Sequence, residues 1–260
     1  MSVDSEGASV ETTKTRNRLL QAAELLFIEH GYEAMLLREV TRQAGANPAA
    51  VNYHFGGKEL LMRELLARRL DRLNGERLQL LSLCENQQGG RPLGPAAVLS
   101  ILFVPALRLS RPPAGDLSFI RLLGRVYSDP SPFIRDYLTG HYRLIYERFF
   151  EAFARALPEL SRAELSMRLR FSLQGLSGLL AGQSIDELLG ALSMGDSMDE
   201  ATLLARLIAL ISPMLTVPLG TPEQVSAVGK ILGLATVAAQ AVDTTAPLSA
   251  STRTSRERSI

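Results

Sequence analysis

Apolar side chains recur three and four positions apart along most of this 260-residue chain, with charged residues between them. In the first such stretch, from Thr15 to Gly31, charged residues such as Arg16 and Glu24 lie off the apolar stripe. The stripe consists of Leu19, Leu20, Ala23, Leu26 and Phe27. These positions share one face of an α-helix, and strand-like alternation of any length does not occur. The pattern therefore predicts an all-α protein.

Two short helices joined by a tight turn are predicted next. Leu37, Val40 and Ala44 recur at helical spacing, and Gly45 then ends the first helix, because glycine adopts the left-handed conformation without a Cβ penalty. The chain resumes a helical pattern only three residues later. A compact helix-turn-helix is therefore expected here.

The second short helix should run from Pro48 to about His54. Asn47 is a good N-cap, and proline suits the first helical position because its missing N–H would have had no partner there. Gly56 and Gly57 should end the helix. The expected inner face consists of Ala50, Val51 and Phe55.

A long amphipathic helix is predicted from Glu59 to about Cys84, followed by a loop rich in glycine and proline. Breakers then separate a series of body helices. Their expected ranges are 96–109, 116–127, 132–157, 162–183, 199–217 and 222–241. The resulting domain organisation is a disordered arm at 1–13, a three-helix head at 14–58, a helical body at 59–242 and a disordered tail at 243–260.

Composition and charge narrow the class of protein. Hydrophobic residues make up 46% of the chain, which is enough for a sizeable core. The single cysteine excludes an internal disulfide framework and fits a reducing cytosol. We expect a soluble cytoplasmic protein without a signal peptide or membrane span. Residues 14–72 carry ten Lys or Arg against seven Asp or Glu, although the whole chain is only +1.

The segment LLREVTRQAGANPAAVNYHFGGK, residues 36–58, resembles the DNA-binding domain of TetR-family transcriptional repressors. The shared features are an apolar first helix, an alanine-glycine turn, a short helix ending in aromatic-His-Phe, and a lysine just beyond. The resemblance covers residues 15–62. It implies a homodimer that binds a palindromic double-stranded DNA operator, with a C-terminal bundle for ligand binding and dimerisation.

The resemblance also implies which residues contact DNA. Arg38 matches a position that reads guanine, to which a guanidinium can pair bidentately. Asn52 stands where the family usually has a phosphate-binding tyrosine, and here Tyr53 follows it, so either residue can fill that role. The implied DNA-binding residues are Arg38, Thr41, Pro48, Ala49, Ala50, Asn52, Tyr53, His54 and Lys58.

One departure from the family pattern lies at the start of the second helix. Members usually place Thr or Ser there as an N-cap, whereas this chain has Met35 and Leu36. We expect the missing cap to cost about 1 kcal/mol.

The predicted helices 162–183 and 199–217 match the two that form a four-helix dimer interface in the family. Small residues such as Gly175, Gly178 and Ala181 on the first of them would permit close packing. The alternative is that both are core helices within one chain.

Aromatic residues and cations share the apolar stripes of the body, which favours a ligand pocket. An unpaired buried cation is costly, so such a residue either faces an anionic ligand group or extends to the surface. The candidate ligand-binding residues are Phe103, Leu107, Arg121, Arg125, Tyr142, Tyr146, Phe171 and Gln174.

A narrower resemblance concerns the effector. The run Phe119-Ile120-Arg121-Leu122-Leu123-Gly124, the helix beginning at Pro132 and the NYHFGGK segment together resemble the fatty-acid-responsive branch of the family. That branch releases DNA on binding a long-chain acyl ligand. The implied effector is a small hydrophobic molecule such as a long-chain fatty acid or acyl-CoA.

Two other functions compete with a regulator. An enzyme is disfavoured because the sequence lacks a P-loop, a Gly-x-Ser-x-Gly elbow and a Glu-x-x-His pair. We therefore predict no catalytic residue, metal or cofactor. A helical adaptor protein without DNA binding is the other alternative, and the absence of salt-dependent DNA affinity would distinguish it.

Overall fold

The computed structural model describes residues 3–116, 118–182, 190, 193 and 199–245. All regular secondary structure among these residues is helical, which confirms the all-α prediction. The helices are α1 (Val3–Ala34), α2 (Leu37–Gln43), α3 (Ala50–Phe55), α4 (Lys58–Gln87), α5 (Pro95–Leu109), α6 (Ser118–Ser128), α7 (Pro132–His141), α8 (Arg143–Ala156), α9 (Arg162–Gly182), α10 (Glu200–Thr216) and α11 (Pro222–Thr245).

The first helix begins earlier than the sequence indicates. Residues 3–13, expected to form a disordered arm, continue α1; this segment contains no proline, so nothing interrupts the backbone hydrogen bonds. Near the other end, Gly31 is non-helical, with φ 78° and ψ 176°. The last turn of α1 therefore leaves the main helix at Gly31, where the sequence predicts its end.

The turn between α2 and α3 follows the glycine pattern. Gly45 and Gly56 have φ of 57° and 80°, in the left-handed region. The Oδ1 atom of Asn47 accepts a hydrogen bond from the Ala49 backbone N–H at 2.9 Å and so stabilises the turn. The helix itself begins at Ala50, two residues later than predicted, and ends at Phe55, and its N-cap residue Ala49 makes no side-chain cap. Leu36 precedes α2 and provides no side-chain cap, in agreement with the departure noted above.

One cluster of buried apolar residues runs from the head into the body. Members from α1 to α7 include Leu19, Phe27, Met35, Val51, Leu61, Leu66, Phe119, Leu122 and Ile134. A second cluster fills the rest of the bundle and includes Leu81, Leu99, Phe153, Leu165 and Ile211. The boundary predicted after residue 58 therefore does not separate two hydrophobic cores.

The single helix predicted over 132–157 is divided into α7 and α8. Tyr142 lies between them with φ −105° and ψ 16°, and its hydroxyl donates to Asp71 Oδ1 at 2.8 Å. Its side chain is buried. The interruption thus coincides with a contact to α4, which helical periodicity does not reveal.

The described residues up to Thr216 form one compact unit, and those from Val217 onward form a second. Within the second unit, α11 presents its large apolar residues to solvent, each more than half exposed. These residues are Val225, Val228, Ile231, Leu232, Leu234 and Val237.

None of the helices in the described part of the chain combines the length and the hydropathy needed to cross a bilayer.

Candidate DNA-binding surface and ligand cavity

The short helix α3 has a buried face and an exposed face. Val51 and Phe55 are buried against the head, whereas Asn52 and Tyr53 point outward. Tyr53 is 79% exposed, which is unusual for a large aromatic side chain. An exposed short helix of this kind fits the major groove of B-DNA.

The other predicted DNA-binding residues on α2 and at the start of α3 also divide into exposed and buried ones. Arg38, Pro48 and Ala49 are exposed, and Ala50 is half-buried. Thr41 is only 2% exposed, and its hydroxyl donates to the Arg38 carbonyl at 3.1 Å. Thr41 therefore belongs to the internal packing of the head rather than to its outer surface.

Lys58 connects the start of α4 to the end of α1. Its Nζ atom donates to the Glu33 carbonyl at 3.3 Å and lies 4.5 Å from the centre of the Tyr32 ring. Partial burial lowers the pKa of the Lys58 ammonium, an effect opposed by the Glu33 and Asp129 carboxylates. The half-buried His54 meets Tyr53 edge to face, with ring centres 4.9 Å apart.

A cavity of about 300 Å³ lies in the body, bounded by α4, α5, α6, α8, α9 and α10. Its walls are almost entirely apolar, contributed by residues such as Leu102, Leu123, Phe149, Phe153, Leu169, Leu173, Leu204 and Leu207. Three of the candidate ligand-binding residues line it, namely Phe103, Leu107 and Tyr146.

The other five candidate ligand-binding residues do not line this cavity. Arg121, Phe171 and Gln174 are exposed. Arg125 donates instead to the carbonyls of Ile28 and Glu29 in α1, at 3.0 and 3.3 Å, and Tyr142 bonds to Asp71 as described. The polar part of the pocket is thus not where the sequence placed it, because helical periodicity alone did not show which side of α6 and α9 faces inward.

The sequence analysis missed several polar residues of the cavity wall, of which two lie on α4. Asn74 and Arg77 of α4 are 2% and 8% exposed. A signal for them exists: they continue the buried stripe of Leu66, Leu70 and Leu73 at helical spacing, so they had to face inward.

Two family profiles match this chain. Residues 19–65 match the profile described as bacterial regulatory proteins, tetR family, and residues 100–214 match the tetracyclin repressor-like C-terminal domain. The two profiles follow each other in the order expected for one family. The chain belongs to the TetR family.

Curated TetR-type relatives match in the head. The HTH-type transcriptional repressor AcnR of Corynebacterium glutamicum is 36% identical over 61 residues, and the uncharacterized HTH-type transcriptional regulator TtgW of Pseudomonas putida is 34% identical over 61 residues. These matches cover 24% of this chain, and 32% and 46% of the respective relatives. The chain therefore spans less than half the length of the curated relatives it matches.

Among solved structures, an HlyIIR mutant that carries a linker with two thrombin sites is 18% identical to this chain, with a TM-score of 0.46. The alignment covers 80% of this chain and 100% of the HlyIIR chain. A TetR-family regulator from Rhodococcus sp. is 16% identical, with a TM-score of 0.45, and covers 78% of this chain and 100% of that one. The profile matched by the head describes bacterial regulatory proteins, and both curated relatives are named as HTH-type regulators of transcription.

Proposed function

We propose that this protein is a homodimeric cytoplasmic repressor that releases a palindromic operator when a small apolar effector enters the body cavity. The observation that carries the proposal is the position of α4. This unbroken helix begins at Lys58, three residues after α3 ends, and contributes Asn74 and Arg77 to the cavity wall. One rigid element thus contacts both the head and the ligand site.

The proposed DNA contacts come from the exposed part of the head. Arg38 would read a guanine, and Asn52 or Tyr53 would bind the backbone beside it. Pro48 and Ala49, with the half-buried Ala50, would meet thymine methyl groups at the groove-facing start of α3. His54 and Lys58 would contact phosphates, provided that Lys58 exchanges its bond to the Glu33 carbonyl for one to DNA.

The proposed dimer uses α9 and α10. Both helices expose large apolar side chains, Met167 and Phe171 on α9 and Leu210 and Met214 on α10. A two-fold axis through this surface would give two heads, which is what a palindromic operator with half-sites about one helical turn apart requires.

The effector class follows from the size and polarity of the cavity. A volume of about 300 Å³ lies at the lower end of the range for small-molecule sites. A medium-chain fatty acid such as octanoate suits an apolar site of this size. The CoA part of an acyl-CoA would extend outside the cavity.

Release of DNA requires a two-state mechanism. The effector must bind more tightly to the form whose heads do not match the operator, because only differential affinity shifts a conformational equilibrium. The change in separation of the two heads would be transmitted by a tilt of α4.

The proposal is tested by fluorescence anisotropy with labelled DNA from the protein's own promoter and a scrambled fragment as control. We expect specific binding whose affinity falls steeply with salt, because phosphate contacts release counterions, and which is weakened by octanoate. Absent or salt-insensitive binding would instead support the helical adaptor alternative.

A further inference from the structure

The cavity wall contains one buried cation, Arg77, that is not neutralised by a carboxylate. Its Nε atom donates to the Leu102 carbonyl at 3.0 Å and its Nη1 atom to Asn74 Oδ1 at 3.2 Å. Within the described residues, Nη2 makes no hydrogen bond and no ion pair forms with the guanidinium. The nearby carboxylate of Glu76 is engaged by Arg72 and Arg108 on the outer side of α4.

Burial makes this arrangement costly in free energy. A guanidinium stays charged at every physiological pH, and a buried charge is tolerated when it is paired. Two neutral oxygens satisfy part of its hydrogen-bonding capacity but do not compensate its charge. An anionic group in the cavity would do so.

Asn74 provides a second donor at the same place. Arg77 can only donate hydrogen bonds, so the Asn74 atom that faces it must be the amide oxygen, and the orientation of the amide is fixed. The Nδ2 atom is then directed away from Arg77, and it is buried without a hydrogen-bond partner in the described structure. A buried amide donor left unpaired is costly in free energy.

Two tyrosines line the same cavity. Burial raises the pKa of the Tyr146 hydroxyl, and the neighbouring Tyr127 raises it further. Tyr146 therefore keeps its proton at neutral pH, and its hydroxyl shares a hydrogen bond with that of Tyr127. The polar side chains of the otherwise apolar wall are thus those of Arg77, Asn74, the two tyrosines and Ser177, whose hydroxyl donates to the Leu173 carbonyl at 2.7 Å.

We propose that Asn74 and Arg77 form a carboxylate anchor inside the cavity, so that the effector is an apolar acid bound through its ionised head group to α4. This inference rests on the proposal that the cavity holds the effector. Arg77 would bind the carboxylate through Nη2, and Asn74 would donate its free Nδ2 hydrogen to the same group. The hydrocarbon part would occupy the apolar remainder, between α5, α8, α9 and α10.

The test compares octanoate with 1-octanol by isothermal titration calorimetry at pH 7. The two compounds share one alkyl chain and differ in the charge of the head group. We expect the wild-type protein to bind octanoate at least tenfold more tightly than 1-octanol, because hydrogen bonds to a charged group are stronger than those to a neutral one. Equal affinity for the two compounds would overturn the anchor.

Two variants locate the anchor. Arg77→Met removes the positive charge and retains an apolar side chain. Asn74→Asp keeps nearly the shape of the asparagine and places a carboxylate beside Arg77 that neutralises its charge. The Asn74→Asp variant tests the anchor by itself if Arg77→Met does not fold. Each should weaken octanoate binding at least tenfold while changing 1-octanol binding less than threefold. Arg121→Met, at an exposed arginine of α6 outside the cavity, serves as the matched control and should bind both compounds as the wild type does. A preference for octanoate that survives in both anchor variants contradicts the assignment.

A cavity-filling variant separates failure of the anchor from failure of the proposed function. Leu173→Trp places a larger side chain in the cavity wall and should abolish binding of both compounds. If it does so while the wild type binds octanoate and 1-octanol equally, the cavity is the ligand site and only the anchor is wrong. If Leu173→Trp leaves both affinities unchanged, or neither compound binds the wild type, the proposed effector site itself fails.

Discussion

Arg38 has the properties required of a base-reading side chain. It is exposed on α2, and within the described residues it forms no ion pair or side-chain hydrogen bond that binding would have to break. Its neighbour Thr41 is turned inward and holds the local backbone. A rigid helix therefore presents a free guanidinium beside α3.

Replacing Arg38 by alanine should weaken operator binding by about 1–3 kcal/mol, the usual contribution of a bidentate guanine contact. Dimerisation should be unaffected. Anisotropy titration with promoter DNA measures the first effect and sedimentation the second, with Arg121→Ala as a control for loss of an exposed arginine in the body. Unchanged affinity, or loss of the dimer as well, would show that Arg38 does not have this role.

Gly31 is a second position where a single residue decides the geometry. Its φ of 78° and ψ of 176° are essentially restricted to glycine, and an added Cβ would lie 2.7 Å from Asp129 Oδ2. That carboxylate accepts the Tyr32 backbone N–H at 3.0 Å, which connects the end of α1 to the end of α6. Close approach and backbone conformation thus both require glycine.

Gly31→Ala should destabilise the fold by about 1–3 kcal/mol, measured by urea unfolding. Gly75→Ala is the matched control, because Gly75 is exposed within α4 and an added Cβ meets nothing within 4 Å. That variant should stabilise by about 0.5–1 kcal/mol, since alanine favours a helix interior. Equal effects of the two substitutions would refute the conformational argument.

How far a residue's role can be predicted from sequence depends on what determines it. The inward position of Arg77 follows from its place on the stripe of Leu70 and Leu73. The role of Arg125 does not, because its contacts to the Ile28 and Glu29 carbonyls depend on how α6 packs against α1. Periodicity reports which face of a helix a residue occupies, whereas the partner of that face is set by tertiary packing.

At the scale of helices, an ion-pair group connects α4 to α8. The Glu85 carboxylate accepts hydrogen bonds from Arg148 and from Arg155, the latter at 2.5 Å. The hydrogen bond from Arg148 holds the pKa of Glu85 below its ordinary value, with a further contribution from Arg155. Because this pKa is lower in the folded protein, the pairing stabilises the fold above the unfolded-state pKa and its contribution is lost as the pH falls.

Glu85→Gln should therefore lower the free energy of unfolding at pH 7 by up to about 1 kcal/mol, a modest value because solvent screens the partly exposed group. At pH 3 the difference from wild type should be much smaller. Urea titrations at both pH values provide the measurement. A difference that is the same at pH 3 and pH 7 would mean that the charge on Glu85 is not the cause.

The ends of the helices were predictable where a local signal sets them. Gly45 and Gly56 adopt left-handed conformations that their sequence positions already require. The separation of α7 from α8 was not predictable in this way, since Tyr142 bonds to a residue 71 positions earlier in the chain. Local backbone chemistry can be read from a short window, but a contact between distant segments cannot.

For the whole molecule, the exposed apolar residues of α9 and α10 are the surface that the proposed dimer must cover. Phe171 is 67% exposed and Leu210 is 65% exposed. Large apolar side chains of this kind in neighbouring packed helices favour association with another surface. If a second copy covers these side chains, a charged residue introduced among them would be buried at a high cost in free energy.

Phe171→Glu should shift the protein to a monomer and reduce operator affinity by at least tenfold, because two heads no longer bind together. Analytical ultracentrifugation and anisotropy give the two readouts. Leu144→Glu is the control, since Leu144 is similarly exposed, at 70%, on α8. If the Phe171 variant remains dimeric, the interface lies on another surface.

In the proposed mechanism, the length of α4 determines how far a movement at the cavity displaces the head. About sixteen residues separate Lys58 from Asn74 in one continuous helix, which corresponds to about 24 Å at 1.5 Å per residue. The helix then acts as a lever, and a pivot of about 5° near Asn74 displaces its first residue by about 2 Å over that length. In the proposed symmetric dimer the two displacements would add, and the heads would then be mismatched to the grooves of the operator by about 4 Å.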